Sequence, residues 1–185
     1  MIITIGGTPG SGKSSVGIRI SERLGLKRYY MGQVLRDKAR EKGMTLQEYL
    51  ESGEEDDSVD REVDEYQRDL GENSDDFVIE GRTSFIMIPH AIKVFLKTDL
   101  DTAARRIFND MKEKAKERNE GMVESFEQMK AELERRMRTD RKRYHKYYGV
   151  DAFDEKNFDI VVDTTDISID QAVETVLQRI RALDQ

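Results

Sequence analysis

The chain has no cysteine, only two histidines and only two prolines. Without cysteine there can be no disulfide, no thiolate nucleophile and no cysteine-based zinc site, and a reducing cytoplasm is the expected home. His90 and His145 stand at no ligand-like spacing to each other or to a serine nucleophile, so both read as surface or packing residues. Apolar runs are no longer than a strand, which leaves nothing to cross a membrane as a helix. The first residues enter the run Ile2-Ile3-Thr4-Ile5 without a basic leader, so no signal peptide is expected. Positive charge is outweighed: the formal net charge is -7 in a chain of which 37% is charged. Such a chain is a poor nonspecific binder of nucleic acid or membrane, and neither is expected as a partner. Its apolar residues nevertheless recur at helix and strand periods, which argues against disorder, and 185 residues suit one domain with a sizeable core.

Against these absences stands Gly7-Thr8-Pro9-Gly10-Ser11-Gly12-Lys13-Ser14, a full G-x-x-x-x-G-K-[ST] phosphate-binding loop. It follows a strand-like run and leads into a helical pattern carrying Val16, Ile20 and Leu24, which is the context the motif requires. The glycines let backbone N–H groups turn inward around a polyphosphate, and the next helix points its positive end at the same anion. Residues Gly7 through Ser14, with Ser15, form the expected triphosphate cradle; Lys13 reaches the β- and γ-phosphates and the Ser14 hydroxyl ligates Mg²⁺. A glycine-rich strand-to-helix turn without a ligand would need neither the Lys-Ser pair nor so many permissive residues.

Beyond the loop, strand and helix alternate. Gly25 is expected to end the first helix, Tyr29-Tyr30 to form a short strand, and a helix to open at Met31-Gly32-Gln33 and stop at Gly43. Thr45-Leu46-Gln47-Glu48 has the form of a capping box for a short helix. Glu51 to Asp57 reads as a solvated acidic loop. Val59, Val63, Tyr66 and Leu70 mark the buried face of another helix, with Gly71 to Ser74 as the turn after it. Phe77-Val78-Ile79 and Val94-Phe95-Leu96 read as buried parallel strands, the first ending in Glu80-Gly81-Arg82. Thr98-Asp99 caps a helix with Leu100, Ala103, Ala104, Ile107, Phe108 and Met111 inside. The apolar stripe then fades toward a hinge near Gly121. A long helix resumes through Phe126, Met129, Leu133 and Met137, with Arg136, Asp140 and Arg143 sharing a different face. Phe158 to Val162 is the last strand. Ser168 to Gln171 forms a capping box for a closing helix with Ile169, Val173, Val176 and Ile180 inside. The alternation gives an α/β fold with a parallel sheet between helical layers, and the lack of a second apolar stripe on any helix makes a monomer the expectation.

A phosphate-binding loop on such a sheet serves switches, motors and small-molecule kinases alike. A GTPase would carry a D-x-x-G segment, and the chain has none; Leu96-Lys97-Thr98-Asp99 approaches the guanine-reading [NT]-K-x-D but begins with the wrong residue. The ordered set of the Gly7 to Ser14 loop, Gly32 with Arg36, Glu80-Gly81-Arg82, and Arg136, Asp140 and Arg143 resembles the nucleoside monophosphate kinases. It is most similar to the short cytidylate kinases of archaea and some bacteria.

That resemblance implies a three-layer P-loop fold around a five-stranded parallel sheet. The core would take in about 1–31, 72–108 and 150–185, a helical monophosphate-binding segment about 32–71, and a helical lid about 109–149. It implies Mg²⁺-dependent transfer of the ATP γ-phosphate to CMP and dCMP. Gly32, Arg36, Gly81 and Arg82 would hold the acceptor, Arg136 and Arg143 would come down onto the phosphates, and Asp140 would contact the acceptor nucleotide and order the arginines. Glu80, at the end of its strand, is expected either as the acidic partner for Mg²⁺ through water or as a residue that fixes the backbone there. Met31 and Thr83 depart from the family pattern near the acceptor base, where Gln33 and Thr83 are placed to supply hydrogen bonds. The rival readings are an adenylate-kinase-like or other small-metabolite kinase and, of a different class, a regulatory nucleotide-binding ATPase. For the lid arginines the plain alternative is a solvated helix face paired to Glu132 and Asp140.

Overall fold

The computed structural model describes residues 1–52, 58–114 and 125–183. The acidic stretch 53–57 and the hinge expected near Gly121 lie outside the described residues. Five strands, β1 (Ile2–Gly7), β2 (Lys27–Tyr30), β3 (Phe77–Glu80), β4 (Ile92–Lys97) and β5 (Ile160–Asp163), form one sheet in the order β2-β3-β1-β4-β5. Every pairing is parallel. The carboxyl ends of all five strands therefore rise at one edge, where ligands of open α/β sheets collect.

Alternation along the strands sorts their side chains onto two faces. Ile3 and Ile5 of β1, Val78 of β3 and Val94 and Leu96 of β4 pack with Val16 and Ile20 of α1 (Lys13–Leu24) and with Val173, Val176 and Ile180 of α8 (Ile169–Leu183). Ile2, Phe77 and Ile79 turn the other way, toward Met31 of α2 (Met31–Glu41), Val63 and Leu70 of α4 (Ser58–Asn73) and Met87 of α5 (Ser84–Met87). Removing one such aliphatic side chain from water is worth about 1.5–3 kcal/mol, so the two layers supply the bulk of the fold's driving force. The third layer pairs α6 (Leu100–Lys114) with α7 (Phe126–Tyr148) through Ala103, Ala104, Met111, Met129 and Leu133. The short α3 (Leu46–Ser52) sits between α2 and α7.

Both capping boxes form. Thr45 N donates to Glu48 Oε2 at 2.8 Å while Glu48 N donates to Thr45 Oγ1, and Ser168 and Gln171 do the same. Gly25 ends α1 in the left-handed region. Four expectations are corrected. The helix before β3 runs on through Gly71 to Asn73, where a turn was expected; a Cβ at position 71 would lie within 3.0 Å of Ile88, so glycine there permits close packing of α4 on the segment after α5 rather than a bend. Tyr66 is exposed, its ring edge-on to Tyr29, because the buried stripe of α4 runs through Asp64 and Gln67 instead. Ile169 is exposed at the first turn of α8. Phe158 precedes β5 and packs between Phe85 and Phe95.

Candidate active site

β1 and β4 fix the phosphate-binding loop at both ends. Gly7 has φ of 141°, and a Cβ there would stand 2.0 Å from the Leu96 carbonyl oxygen, so only glycine fits. A Cβ at Gly10 would lie 2.6 Å from Ala103 Cα of α6. Thr8 N donates to Leu96 O, and Thr98 N donates to Thr8 Oγ1 at 3.1 Å. Across the loop, the Thr164 hydroxyl donates to Ser11 O, and Arg106 donates to Gly10 O and, at 2.7 Å, to Thr164 O. The loop is thus clamped by α6 and the end of β5 before any ligand arrives.

The clamped loop floors a cavity of about 500 Å³ lined by Lys13 of α1, Arg36 of α2, Arg82 of the segment after β3 and Arg136 of α7. Lys13 Nζ donates to Thr8 O at 2.6 Å. Burial of its ammonium, with Arg82 and Arg136 close by, pushes the lysine down to about 7 despite Glu80 and Asp140. Arg36 Nη1 donates to the Tyr30 hydroxyl at 2.9 Å. Burial pushes that phenol up, but the charge and hydrogen bond of Arg36 outweigh it, and the net shift is downward. Gly32 makes room for this arrangement: a Cβ there would fall 2.7 Å from the Tyr30 ring.

Glu80 is buried at the end of β3 and ion-pairs with Arg28. Burial raises its carboxyl, opposed by the Arg28 contact and by the Ser14 hydroxyl, which also meets Tyr30. Among the described residues Glu80 Oε2 has no hydrogen-bond partner, and glycine at position 17 leaves the carboxylate space, since a Cβ there would lie 2.5 Å from Oε1. Among the described residues no group of three or more acids or histidines is clustered to hold an ion. The Ser14 hydroxyl beside an under-partnered carboxylate suits instead an octahedral Mg²⁺, which takes most of its ligands from phosphates and water.

Arg82, Asp140 and Arg143 form a line running away from the cavity. Arg82 Nε lies 2.5 Å from Asp140 Oδ2, and Arg143 Nη2 donates to Asp140 Oδ1 at 3.3 Å. Arg143 is wholly buried; it donates to Leu50 O at 2.9 Å and to the Tyr144 hydroxyl. The resemblance sets Arg143 on the phosphates and Asp140 against the acceptor nucleotide, but neither residue lies in the cavity wall. Nor is this helix face solvated: Asp140 and Arg143 are fully enclosed, and Glu132 pairs with Arg135 instead. The i, i+3 and i+4 spacing placed these residues on one face correctly, and the carbonyl of Leu50 in α3 is what closes that face. Gln33 is exposed and bonds Asp37, away from the cavity. Arg28, Tyr30 and Arg106 escaped the sequence reading. Only an arginine and a tyrosine alternating toward the end of a strand, at Arg28 and Tyr30, could have pointed to the first two.

A family model described as the cytidylate kinase-like family matches residues 2–166. The chain belongs to that family. Its relatives include the cytidylate kinase of Methanopyrus kandleri, 32% identical over 97% of this chain and 96% of that one. Another is the cytidylate kinase of Natronomonas pharaonis, 36% identical over 92% of this chain and 84% of that one. Among solved structures it resembles an uncharacterized protein from Eubacterium ventriosum, at 18% identity with a TM-score of 0.69 over 98% of each chain. It also resembles a shikimate kinase from Bacteroides thetaiotaomicron, at 13% identity with a TM-score of 0.62 over 99% of this chain and 97% of that one. Those two likenesses show a shared fold. This family member is therefore a phosphotransferase built on a five-stranded parallel sheet. Among its described residues no helix is long and apolar enough to cross a membrane.

Proposed function

We propose that the protein transfers the γ-phosphate of ATP to CMP, and to dCMP, giving ADP and the corresponding diphosphate. The observation that carries this reading is the convergence of Lys13, Arg36, Arg82 and Arg136 on one cavity beside the phosphate-binding loop. A single triphosphate on the loop would occupy Lys13 and the backbone cradle; Arg36 and Arg82, on α2 and after β3, are left for a second phosphate. An oxygen of the acceptor phosphate attacks the γ-phosphorus, the bond from that phosphorus to the β,γ-bridging oxygen breaks, and ADP leaves. The nucleophile is already anionic, so no general base is assigned. Positioning and charge stabilisation carry the rate.

In this reading residues 7–15 cradle the ATP phosphates, and Lys13 and Arg136 neutralise the charge that builds on the transferred group. Ser14 and, through water, Glu80 would hold a Mg²⁺ that screens the polyphosphate. Residues 32–71 form the acceptor segment and 109–149 the lid, with Arg143 acting as the strut that orders Asp140 and so Arg82. We read the protein as a cytoplasmic monomer. An ADP-release assay over a panel of monophosphates tests the reading: CMP should stimulate turnover most, whereas turnover indifferent to every acceptor would leave only a nucleotide-binding ATPase. Arg36→Ala should raise the KM for CMP by roughly ten- to a hundredfold, since one charge-assisted hydrogen bond is worth on the order of 1.5–3 kcal/mol. The KM for ATP should stay where it was.

A further inference from the structure

Tyr30 lines the cavity at the seam between its halves, with Ser14 of the phosphate-binding loop on one side and Arg36 of α2 on the other. The register of β2 with β3 sets it opposite Glu80. The guanidinium carbons of Arg28 and Arg36 lie 5.3 and 5.7 Å from the centre of its ring, and glycine at position 32 gives that ring its room. The phenol oxygen is thus held where the triphosphate half of the cavity meets the acceptor half. Its hydrogen bonds join groups that the phosphate chemistry uses separately.

Proton supply fixes the direction of those bonds. Arg36 Nη1 donates to the phenol oxygen at 2.9 Å. The Ser14 hydroxyl meets both the phenol and the Glu80 carboxylate, and it has one proton for the two. Glu80 is ion-paired with Arg28 and can only accept, so it takes that proton. Tyr30 must then donate its own proton to Ser14. A single row of bonds results, running from Arg36 through Tyr30 and Ser14 to Glu80. In this state the phenol turns no proton toward the cavity, and a phosphate oxygen on Arg36 would meet only a lone pair beside it.

We infer that Tyr30 couples the two halves of the site: its O–H rests on Ser14 while the triphosphate half is empty and turns to the acceptor phosphate once Ser14 is engaged. This rests on the reading of the cavity as a joint donor and acceptor site. A Ser14 oxygen that gives its lone pair to a divalent ion has little left to offer Tyr30, while its own proton stays with Glu80. The phenol O–H then needs another acceptor, and the nearest anionic oxygen is that of the phosphate on Arg36. The proton stays on the phenol throughout; only its hydrogen-bond partner changes. The monophosphate is held tightest when a phosphoryl donor is beside it.

The first arm of the test is calorimetric binding of CMP to the protein without nucleotide or metal. Ser14→Ala removes the group that holds the phenol proton, so it should tighten CMP binding by roughly three- to tenfold, the net worth of one hydrogen bond. Combining it with Tyr30→Phe, which keeps the ring, should erase the gain. In the second arm, Mg²⁺ with a non-hydrolysable ATP analogue should tighten CMP binding to the unaltered protein, and Tyr30→Phe should cut that gain by a similar factor. Melting temperatures show that each variant is folded. A folded Ser14→Ala protein that binds CMP no better than the parent would overturn the inference, as would a gain that survives Tyr30→Phe in either arm. An unaltered enzyme that phosphorylates no monophosphate would sink the kinase reading itself.

Discussion

Lys13→Met should lower kcat by about 10²–10³-fold, the usual cost of deleting one donor aimed at charge that develops in the transition state. ATP affinity should fall much less, because the backbone cradle between Gly7 and Ser14 is braced by Leu96, Thr98, Thr164 and Arg106 and stays formed without the lysine. Single-turnover rates set against the ATP dissociation constant separate the two effects; equal losses in both would contradict the assignment. The same side chain predicts a pH signature. In the free protein Lys13 is depressed to about 7, so above that pH it is largely neutral, and an arriving polyphosphate recharges it. ATP binding at pH 8 should then take up close to one proton, visible as a dependence of the binding heat on the buffer's ionisation enthalpy. Lys13→Met should abolish the uptake. For the free fold the sign follows from the lowered value. Between about 7 and the ordinary lysine range the unfolded chain binds the proton more tightly, so stability from this group rises with pH and is lost as pH falls through 7.

Asp140→Ala should be the most damaging change to the fold among the charged positions. Asp140 is the shared counter-ion of Arg82 and Arg143, and it is fully enclosed. Removing it leaves the enclosed Arg143 guanidinium without its carboxylate and Arg82, at the cavity wall, without its counter-ion, which costs about 3–5 kcal/mol. In a domain of this size that corresponds to a melting temperature lower by roughly 6–20 °C. The KM for CMP should rise at the same time, since Arg82 loses the carboxylate that aims it. A variant melting within a degree or two of the parent would show that the line of charges is not what holds α7 against the acceptor segment.

The phosphate-binding loop could be read from the sequence because its requirements are local: glycines at fixed spacing, a strand before and a helix after. The strands and most helix ends were legible for the same reason, as with Thr45–Glu48 and Ser168–Gln171. Long-range partnership was not. Arg28 and Glu80 meet only because β2 and β3 pair in a register that sets Tyr30 against Glu80. Asp64 and Gln67 looked like the polar side of an amphipathic helix, and their burial depends on Thr83, Ser84 and Tyr148 arriving from two other places in the chain. Arg143 has the local signature of a surface arginine and is among the most deeply buried side chains, because α3 supplies a carbonyl above it.

The order of strands also governs when the protein can begin to exist. β1 is made first but sits in the middle of the sheet; its neighbours are β3 and β4, and β2 touches only β3. Ile2 must therefore wait for Phe77, which at ribosomal rates of about 5–20 residues per second is a delay of roughly 4–15 s, with more before β4 appears. Through that interval β1 and β2 have emerged without the strand that pairs with both. Their shared neighbour is the strand not yet translated, and a nascent chain halted before Glu80 has no sheet on which to hang its phosphate loop.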